Sequence, residues 1–544
     1  MKDRASEAVS LRRFDWRFLL PLPPKGRFEH LVVLGTPTSA AARLKELNLS
    51  DRLSVNPNVS AEADAVVVLA GAAVPPSAVA AFVQPGGLVY WEIDRRASLA
   101  WTPGRLRRAM RNVGLFATST YWVVPHHAAP RKFVPLDCAA AIRWYFDTSF
   151  VAGSPRLRLL RAIMRVLGTF QGGIDRFVPC YSMVATAGPV PAARPRALAA
   201  PGVPPAIAAE DVRPVVLTSG RDDGSRVVVL PFAQGRAEPS AVLKLARDSA
   251  FSEHTMREQM TLGYLRERLS PTMKSTLPAA LGMKTSADSD ASPVAVESYA
   301  SGSSLQVSTA QWGASSTRRL ADLHRASDWI TRFHEETVLS RAPWGPEQQG
   351  EWIERRFAAY RDVLGLTRAE HTLFSSAIDY GRRLRGRLPI VYRHNDFGPW
   401  NVVRHGDRLT VIDWESRDET EGERYGLPLC DLIYFVTYWY AAARRMNAPN
   451  AEVQAFVDLF LRREFRSALR SAVLNEIANY LRRLQIAREF MPLILVHSMV
   501  DRAVDQARRL QILESVTGDS ARSANRFVPF VECLCRNRDR LFPD

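Results

Sequence analysis

The sequence predicts a multidomain chain, a doubly wound α/β sheet followed by an α+β region that opens with strands and continues almost wholly in helices. Three observations predict it. Over the first 186 residues, short apolar runs ending in glycine, "HLVVLG" and "ADAVVVLAG", alternate with helix-like segments, the pattern of buried parallel strands with crossover helices. Between Gly188 and Pro214, "GPVPAARPRALAAPGVPPAIAAEDVRP" holds seven prolines and few large apolar residues, as a semi-rigid linker does. Beyond it, "RPVVLTSG", "SRVVVLPF" and "SAVLKLAR" are β-rich runs split by the turn formers "RDDG" and "AQGRAEP". The expected division is 1–186, a linker over 187–212, and 213–544 with parts 213–305 and 306–544.

Within the first part, "LVYWEID" follows the turn "QPGG", and "RLRRAMRNVG" has the spacing of an amphipathic helix with a glycine stop. In the second, a helix is expected over about 251–269. The strand-like "PVAVESYASG" follows, and from about residue 311 the pattern is helical. No internal repeat is apparent.

Composition removes several function classes. Of 72 basic residues only seven are lysine, against 56 acidic residues, for a formal charge of +16. The excess is spread along the chain without a block of like charges, which argues against a nucleic-acid partner. The most apolar window, "ADAVVVLAGAAVPPSAVAAFV", is broken by Pro75 and Pro76 and reads as a buried strand and the start of a helix rather than a membrane span. Cys138, Cys180, Cys430, Cys533 and Cys535 show no C-x-x-C spacing, so reduced thiols in a cytoplasm are expected. Oligomeric state is not encoded in any of these features.

The order of "VVLG", "QPGGLVYWEID" and "GLFATSTYWVVP" resembles the class I S-adenosylmethionine-dependent methyltransferases over roughly 27–186. That resemblance implies a Rossmann-like domain. The glycine-rich loop of the family is replaced by "LGTPTSAA", with Gly35 alone followed by Pro37, and Asn56 and Asn58 stand where a ribose-binding acid is expected. A degenerate domain without cofactor is the expectation. A working methyltransferase, making the chain bifunctional, is the alternative.

The chemistry is carried by "VYRHNDFGPWNVV" and "VIDWE". Asp396 and Asn401 are five residues apart, the spacing with which a kinase loop offers a carboxylate to a hydroxyl and a carboxamide to a metal. Asp413 lies twelve residues further on, and "VVRHGDRLTVI" between them reads as a hairpin that brings its ends together. Mg²⁺ suits such a pair, because it takes a few protein oxygens and completes its shell with phosphate and water. Lys244 sits among apolar residues on a strand, where a kinase holds the α- and β-phosphates. A helix-borne carboxylate should pair with it. Glu258 shares a face with Leu262, Leu265 and Leu269 and is favoured over Glu253.

These motifs resemble the aminoglycoside phosphotransferase and choline kinase family, over about 211–544. "HNDFGPWN" and "VIDWE" fit its H-x-D-x-x-x-x-N loop and metal-binding segment, and "WITRFHEET" and "GLPLCDLIYF" are similar to flanking stretches. The resemblance implies a protein-kinase-like bilobal fold, ATP and Mg²⁺ as cofactors, and transfer of the γ-phosphate to a hydroxyl of a small molecule. A sugar, amino alcohol or related metabolite is the expected acceptor. It further implies Asp396 as the residue that takes or orients the hydroxyl, Asn401 and Asp413 as metal ligands, and backbone groups around Glu297 to Tyr299 against adenine, with Gly302 turning the chain away. Gly220, in "TSGRDDGS", falls in the turn over the phosphates. His394 is read as bonding the loop backbone, and Asp431 as an anchor beneath it. Glu415 is either a support of the site or a solvated helix start. The acidic run "ESRDETEGE" at 415–423 either faces a cationic acceptor or is a solvated loop. A pseudokinase scaffold is the alternative from another class, and the complete set Lys244, Asp396, Asn401 and Asp413 speaks against it.

Overall fold

The structure is a computed structural model of the chain. It describes residues 10–543 apart from 22, 24–25, 37, 58–61, 97–100, 169–172, 190–193, 200–202, 204–206, 208–211, 221–222, 285–292, 415–424, 447, 463 and 515. Asn58, Glu415, the acidic run and much of the proline-rich segment lie outside the described residues. By contacts the chain divides into two compact units. One comprises Met1–Phe150, Leu159–Gln259 and Ala279–Tyr299, the other Val151–Arg158, Met260–Pro278 and Ala300–Asp544.

The first unit is built on one sheet of twelve strands. They are β1 (Phe28–Leu34), β2 (Ser50–Val55), β3 (Ala63–Val68), β4 (Val83–Asp94), β5 (Leu115–Val124), β6 (Lys132–Pro135), β7 (Cys180–Ala187), β8 (Arg213–Leu217), β9 (Arg226–Phe232), β10 (Val242–Ala246), β11 (Ala280–Lys284) and β12 (Val294–Glu297). Their order is β11-β12-β10-β9-β8-β6-β5-β7-β4-β3-β1-β2. The strands β2, β1, β3 and β4 pair in parallel. From β7 to β11 the pairing is antiparallel.

The apolar runs read as strands because both faces of the sheet are covered. Leu31, Val33, Ala65 and Val67 belong to one core. Their neighbours Val32, Leu34, Val66 and Val68 belong to another, as alternation along a strand requires. The segment Pro103–Arg111 is helical, capped by the Thr102 hydroxyl, which accepts from Arg105 N.

The expected division at the linker differs from the observed one. Strand β6 pairs with β8, Lys132 opposite Leu217 and Phe133 opposite Val216, so strands from both sides of residues 187–212 share one sheet. The strands before the linker therefore do not form a sheet of their own, and a self-contained Rossmann-like domain is not confirmed. The physical reason is the edge of the sheet: unpaired backbone groups of β6 are satisfied by β8, and composition of the intervening segment carries no trace of this.

The second unit is mostly helical around one core that includes Leu323, Ile330, Phe333, Phe435, Trp439 and Val500. Ser316–Glu336, Cys430–Ala443 and Met491–Glu514 are long helices of this unit. Its strands are β13 (Ser303–Ser304), β14 (Val338–Ser340), β15 (Ile390–Tyr392), β16 (Val402–His405), β17 (Arg408–Val411) and β18 (Tyr425–Gly426), in two three-stranded sheets. No helix among the described residues is long and apolar enough to cross a membrane. All five cysteines are free.

Candidate functional site

In the first unit, Lys244 lies on β10 between Val228 of β9 and Ala295 of β12. Its strand neighbours Leu243 and Leu245 pack into one core, so alternation turns the lysine to the other face. It is 5% exposed, and Glu258 is fully buried. The Lys244 ammonium donates to Glu258 Oε1 and lies 3.1 Å from Glu297 Oε2. Arg226 Nη1 of β9 donates to the other Glu258 oxygen. Gln259 Nε2 donates to Glu297 Oε1 at 3.1 Å. Lys244 and Arg226 thus meet Glu258 and Glu297 in one cluster, and pairing with opposite charge is the condition under which buried charge is tolerated.

Glu258 comes from the helix Ser252–Arg268. Glu253 on the same helix is exposed and pairs with Arg257, so the carboxylate that meets Lys244 is Glu258. Glu297 departs from expectation. Its side chain is 2% exposed and engaged with Lys244 and Gln259, where the sequence reading uses only the backbone around it. The Tyr299 hydroxyl accepts from Trp144 Nε1 at 2.7 Å, and burial pushes it up to about 12. A Cβ at Gly220 would meet the Ser225 Cβ at 2.1 Å, so the turn needs glycine there for close approach. Arg226 escapes sequence reasoning, being one of the chain's many arginines.

At the other end of the same unit, the loop after β1 is closed by Asn56. Its Oδ1 accepts from Gly35 N at 2.7 Å, and its Nδ2 donates to Thr36 O at 3.0 Å. Glu92 at the end of β4 accepts from Arg13 and from Ala70 N. Asn56 and Glu92 are thus each committed to neighbouring groups of the chain.

In the second unit, the loop from Arg393 to Asn401 is fixed from below. Asp431, near the start of Cys430–Ala443, accepts from His394 N at 2.8 Å and Asn395 N at 3.2 Å. Burial opposes the charge of Asp431, but His334, Arg393 and Arg502 outweigh it and hold the carboxyl far below the usual range. Arg393 is itself tied to Asp501 at 2.7 Å, and Arg502 donates to Asn395 O at 3.0 Å. Asn395 adopts φ +68°.

His394 is fully buried. Its Nε2 lies 3.1 Å from Ile412 O, and its Nδ1 accepts from Asp396 N at 3.2 Å. Both ring nitrogens are therefore used by backbone, which fits a neutral, positioning imidazole rather than a proton acceptor.

Asp396 is half-buried in an otherwise buried stretch. Three donors hold its carboxylate: Asn401 Nδ2 at 2.8 Å and Trp400 Nε1 at 3.1 Å on Oδ2, and the Tyr434 hydroxyl at 3.2 Å on Oδ1. With its nitrogen committed to Asp396, Asn401 keeps its carboxamide oxygen as a metal-type ligand atom. The hairpin of β16 and β17 pairs Val402 with Val411, and Ile412 N donates to Asn401 O at 2.9 Å. Asp413 follows at once, half-buried and in left-handed backbone at φ +65°, a conformation that non-glycine residues adopt at functional sites. Asn401 and Asp413 offer hard oxygens, the donor set for Mg²⁺. Among the described residues no group of three His, Cys, Asp or Glu side chains is placed to hold a metal.

One helix face supports this loop. Asp431, Tyr434 and Tyr438 are spaced i, i+3, i+7 on Cys430–Ala443 and stack beneath it. Tyr434 and Tyr438 lie edge-on to the Trp400 ring, at centroid distances of 5.7 and 5.1 Å. The spacing is visible in "CDLIYFVTY", but its meaning depends on the loop it meets. Gly302 is required by space as well as conformation: with φ +110°, a Cβ there would meet Arg404 O at 2.2 Å.

Residues 231–469 match the model of the phosphotransferase enzyme family named APH. The match marks a phosphotransferase-family region over less than half of the chain, and it gives no support to the resemblance drawn for 27–186. No curated protein matches the chain. Similar solved structures include a putative aminoglycoside phosphotransferase from Ralstonia eutropha, 16% identical at a TM-score of 0.38 over 60% of this chain and 93% of that one. A glucosamine kinase in complex with glucosamine, ADP and inorganic phosphate is 15% identical at 0.36, over 58% and 79%. A choline/ethanolamine kinase family protein from Mesorhizobium loti is 15% identical at 0.29, over 58% and 85%.

Proposed function

We propose that this chain, with its phosphotransferase-family region at 231–469, transfers the γ-phosphoryl group of ATP to a hydroxyl of a small molecule. The observation that carries the reading is the state of Asp396. It is a half-exposed carboxylate held by Asn401, Trp400 and Tyr434, next to the hairpin that returns Asp413 to Asn401. In this reading Asp396 takes the acceptor's hydroxyl proton as the oxygen bonds to phosphorus and ADP leaves. Lys244, oriented by Glu258 and Glu297, offsets phosphate charge. Asn401 and Asp413 would hold a Mg²⁺ ion, which when bound neutralises charge on the transferring phosphate. His394 and Asp431 fix the loop and take no proton.

Residues 27–186 are read as a methyltransferase-like region without cofactor. The closure of the Gly35 loop by Asn56 supports this. Low-micromolar binding of S-adenosylmethionine would overturn it.

The test is ATP consumption by the purified chain against sugars, amino alcohols and aminoglycosides, with and without Mg²⁺. Metal-dependent ADP release that requires one acceptor class and is lost in Asp396→Asn is the expected result. ATP that neither binds nor turns over under any condition would favour a pseudokinase scaffold.

A further inference from the structure

Beside Asp396 the second unit presents a cation with no counter-charge of its own. Arg526 is exposed, and its Nη2 lies 3.5 Å from the Tyr434 hydroxyl, the same hydroxyl that reaches Asp396 Oδ1 at 3.2 Å. Among the described residues Arg526 makes no ion pair within 4 Å. Asp396 and Glu452 act on it only at longer range.

The arginine does not sit on a loose segment. Arg526 N donates to Gln506 Oε1 at 3.0 Å, Asn525 Nδ2 to Ala503 O at 2.7 Å, and Phe527 N to Asn525 Oδ1 at 2.9 Å. Its guanidinium lies 4.9 Å above the Phe527 ring. A second guanidinium, that of the buried Arg502, is 3.4 Å from the centre of the Tyr434 ring.

The wall next to it is aromatic. Trp400, half-buried, meets Tyr434 and Tyr438 edge-on. The Tyr438 hydroxyl is buried and has no hydrogen-bond partner among the described residues. A buried hydroxyl without a partner carries an uncompensated desolvation cost, which a ligand group can recover.

We propose that the acceptor carries an anionic group, a carboxylate or a phosphate ester, held by Arg526 beside the Trp400–Tyr438 wall, with the reacting hydroxyl toward Asp396. This rests on the phosphotransferase reading for its placement. The charge selection itself does not. A guanidinium matches planar or tetrahedral oxyanions in two-point contact, and the same charge repels a polycation. A ring-bearing acceptor gains from the aromatic wall, and Tyr438 offers its hydroxyl to a substituent.

The test uses the full chain and reads binding separately from turnover. Calorimetric titrations compare uncharged parents with their anionic counterparts: glucose with glucuronate and glucose 6-phosphate, glycerol with glycerol 3-phosphate, and benzyl alcohol with hydroxymethylbenzoate. The anionic members should bind about 10–100-fold more tightly than their parents, the range for a hydrogen bond to a charged group. Arg526→Gln should abolish that difference, and Arg526→Lys should recover part of it. In turnover assays Arg526→Gln should raise the acceptor KM and leave kcat and the KM for ATP within about twofold.

Equal or absent binding of the anionic members would overturn the proposal. So would an Arg526→Gln effect confined to the ATP KM, since that would assign the arginine to the nucleotide. Anion binding that depends on Arg526 without any ATP turnover would leave the proposed site standing and remove the phosphotransferase reading.

Discussion

The carboxamide nitrogen of Asn401 donates to Asp396 Oδ2 at 2.8 Å and to the Asp396 carbonyl at 2.9 Å. The two motif residues therefore form one mechanical unit. The same side chain that is proposed to offer an oxygen to metal fixes the carboxylate proposed to meet the acceptor, and any change at Asn401 is expected to affect both proposed roles together.

The Lys244 cluster predicts a sharp contrast within one helix. Glu258→Ala removes the buried carboxylate shared by Lys244 and Arg226. Breaking a buried pair this way costs about 3–5 kcal/mol. Glu253→Ala, at an exposed i,i+4 pair with Arg257, should change stability by less than about 0.5 kcal/mol. Urea unfolding of both variants checks this.

Asp431 predicts the acid limb of the stability curve. Its folded-state carboxyl is held below the ordinary value, near 3.9 in an unfolded chain. The folded chain therefore binds that proton less readily than the unfolded one. The stability so gained is present above the unfolded value and is lost as pH falls through and below it. Asp431→Asn should lower stability at pH 7 by about 3 kcal/mol or more, since the buried Arg393 and Arg502 lose a partner. Its stability should then fall less steeply than wild type between pH 5 and 3, measured as the urea midpoint at each pH.

The pairing of β6 with β8 predicts the behaviour of a nicked chain. A single cut within 187–212 leaves Lys132 opposite Leu217 and Phe133 opposite Val216 in one sheet, and the strands on both sides remain in shared cores. The two fragments should co-elute on size exclusion under native conditions and part only in denaturant. Separation without denaturant would mean that this pairing contributes little.

What the sequence made legible follows from the range of the interactions. Asp396, Asn401 and Asp413 lie within one loop and its hairpin, so spacing alone brings them together. Glu258 was legible through helical periodicity, because the face it shares with Leu262 and Leu265 is a local property. Arg226 on Glu258, Tyr434 on Asp396 and Arg526 on Tyr434 are 32, 38 and 92 residues apart. Nothing local marks one arginine or tyrosine among many. The continuity of the sheet across the linker was hidden for the same reason, since β-strand partners are set by edges and not by the segment that joins them.

The last prediction separates metal binding from proton handling. Asp413→Asn removes a charged oxygen from the proposed metal pair and should weaken Mg-dependent nucleotide binding as well as turnover. Asp396→Asn should leave Mg-ATP binding nearly unchanged and reduce phosphoryl transfer by roughly two to four orders of magnitude, the scale of a positioned general base. The geometry adds a cost at Asp396. Its carboxylate accepts from three donors, Asn401, Trp400 and Tyr434, and an amide turns one accepting oxygen into a donor facing another donor. At a half-exposed site this should lower stability by about 1 kcal/mol, a shift of a few degrees in Tm, too small to account for the loss of turnover. Calorimetric titration of Mg-ATP into both variants, alongside single-turnover rates, reads the two effects independently. Loss of nucleotide binding in Asp396→Asn with retention in Asp413→Asn would exchange the two roles.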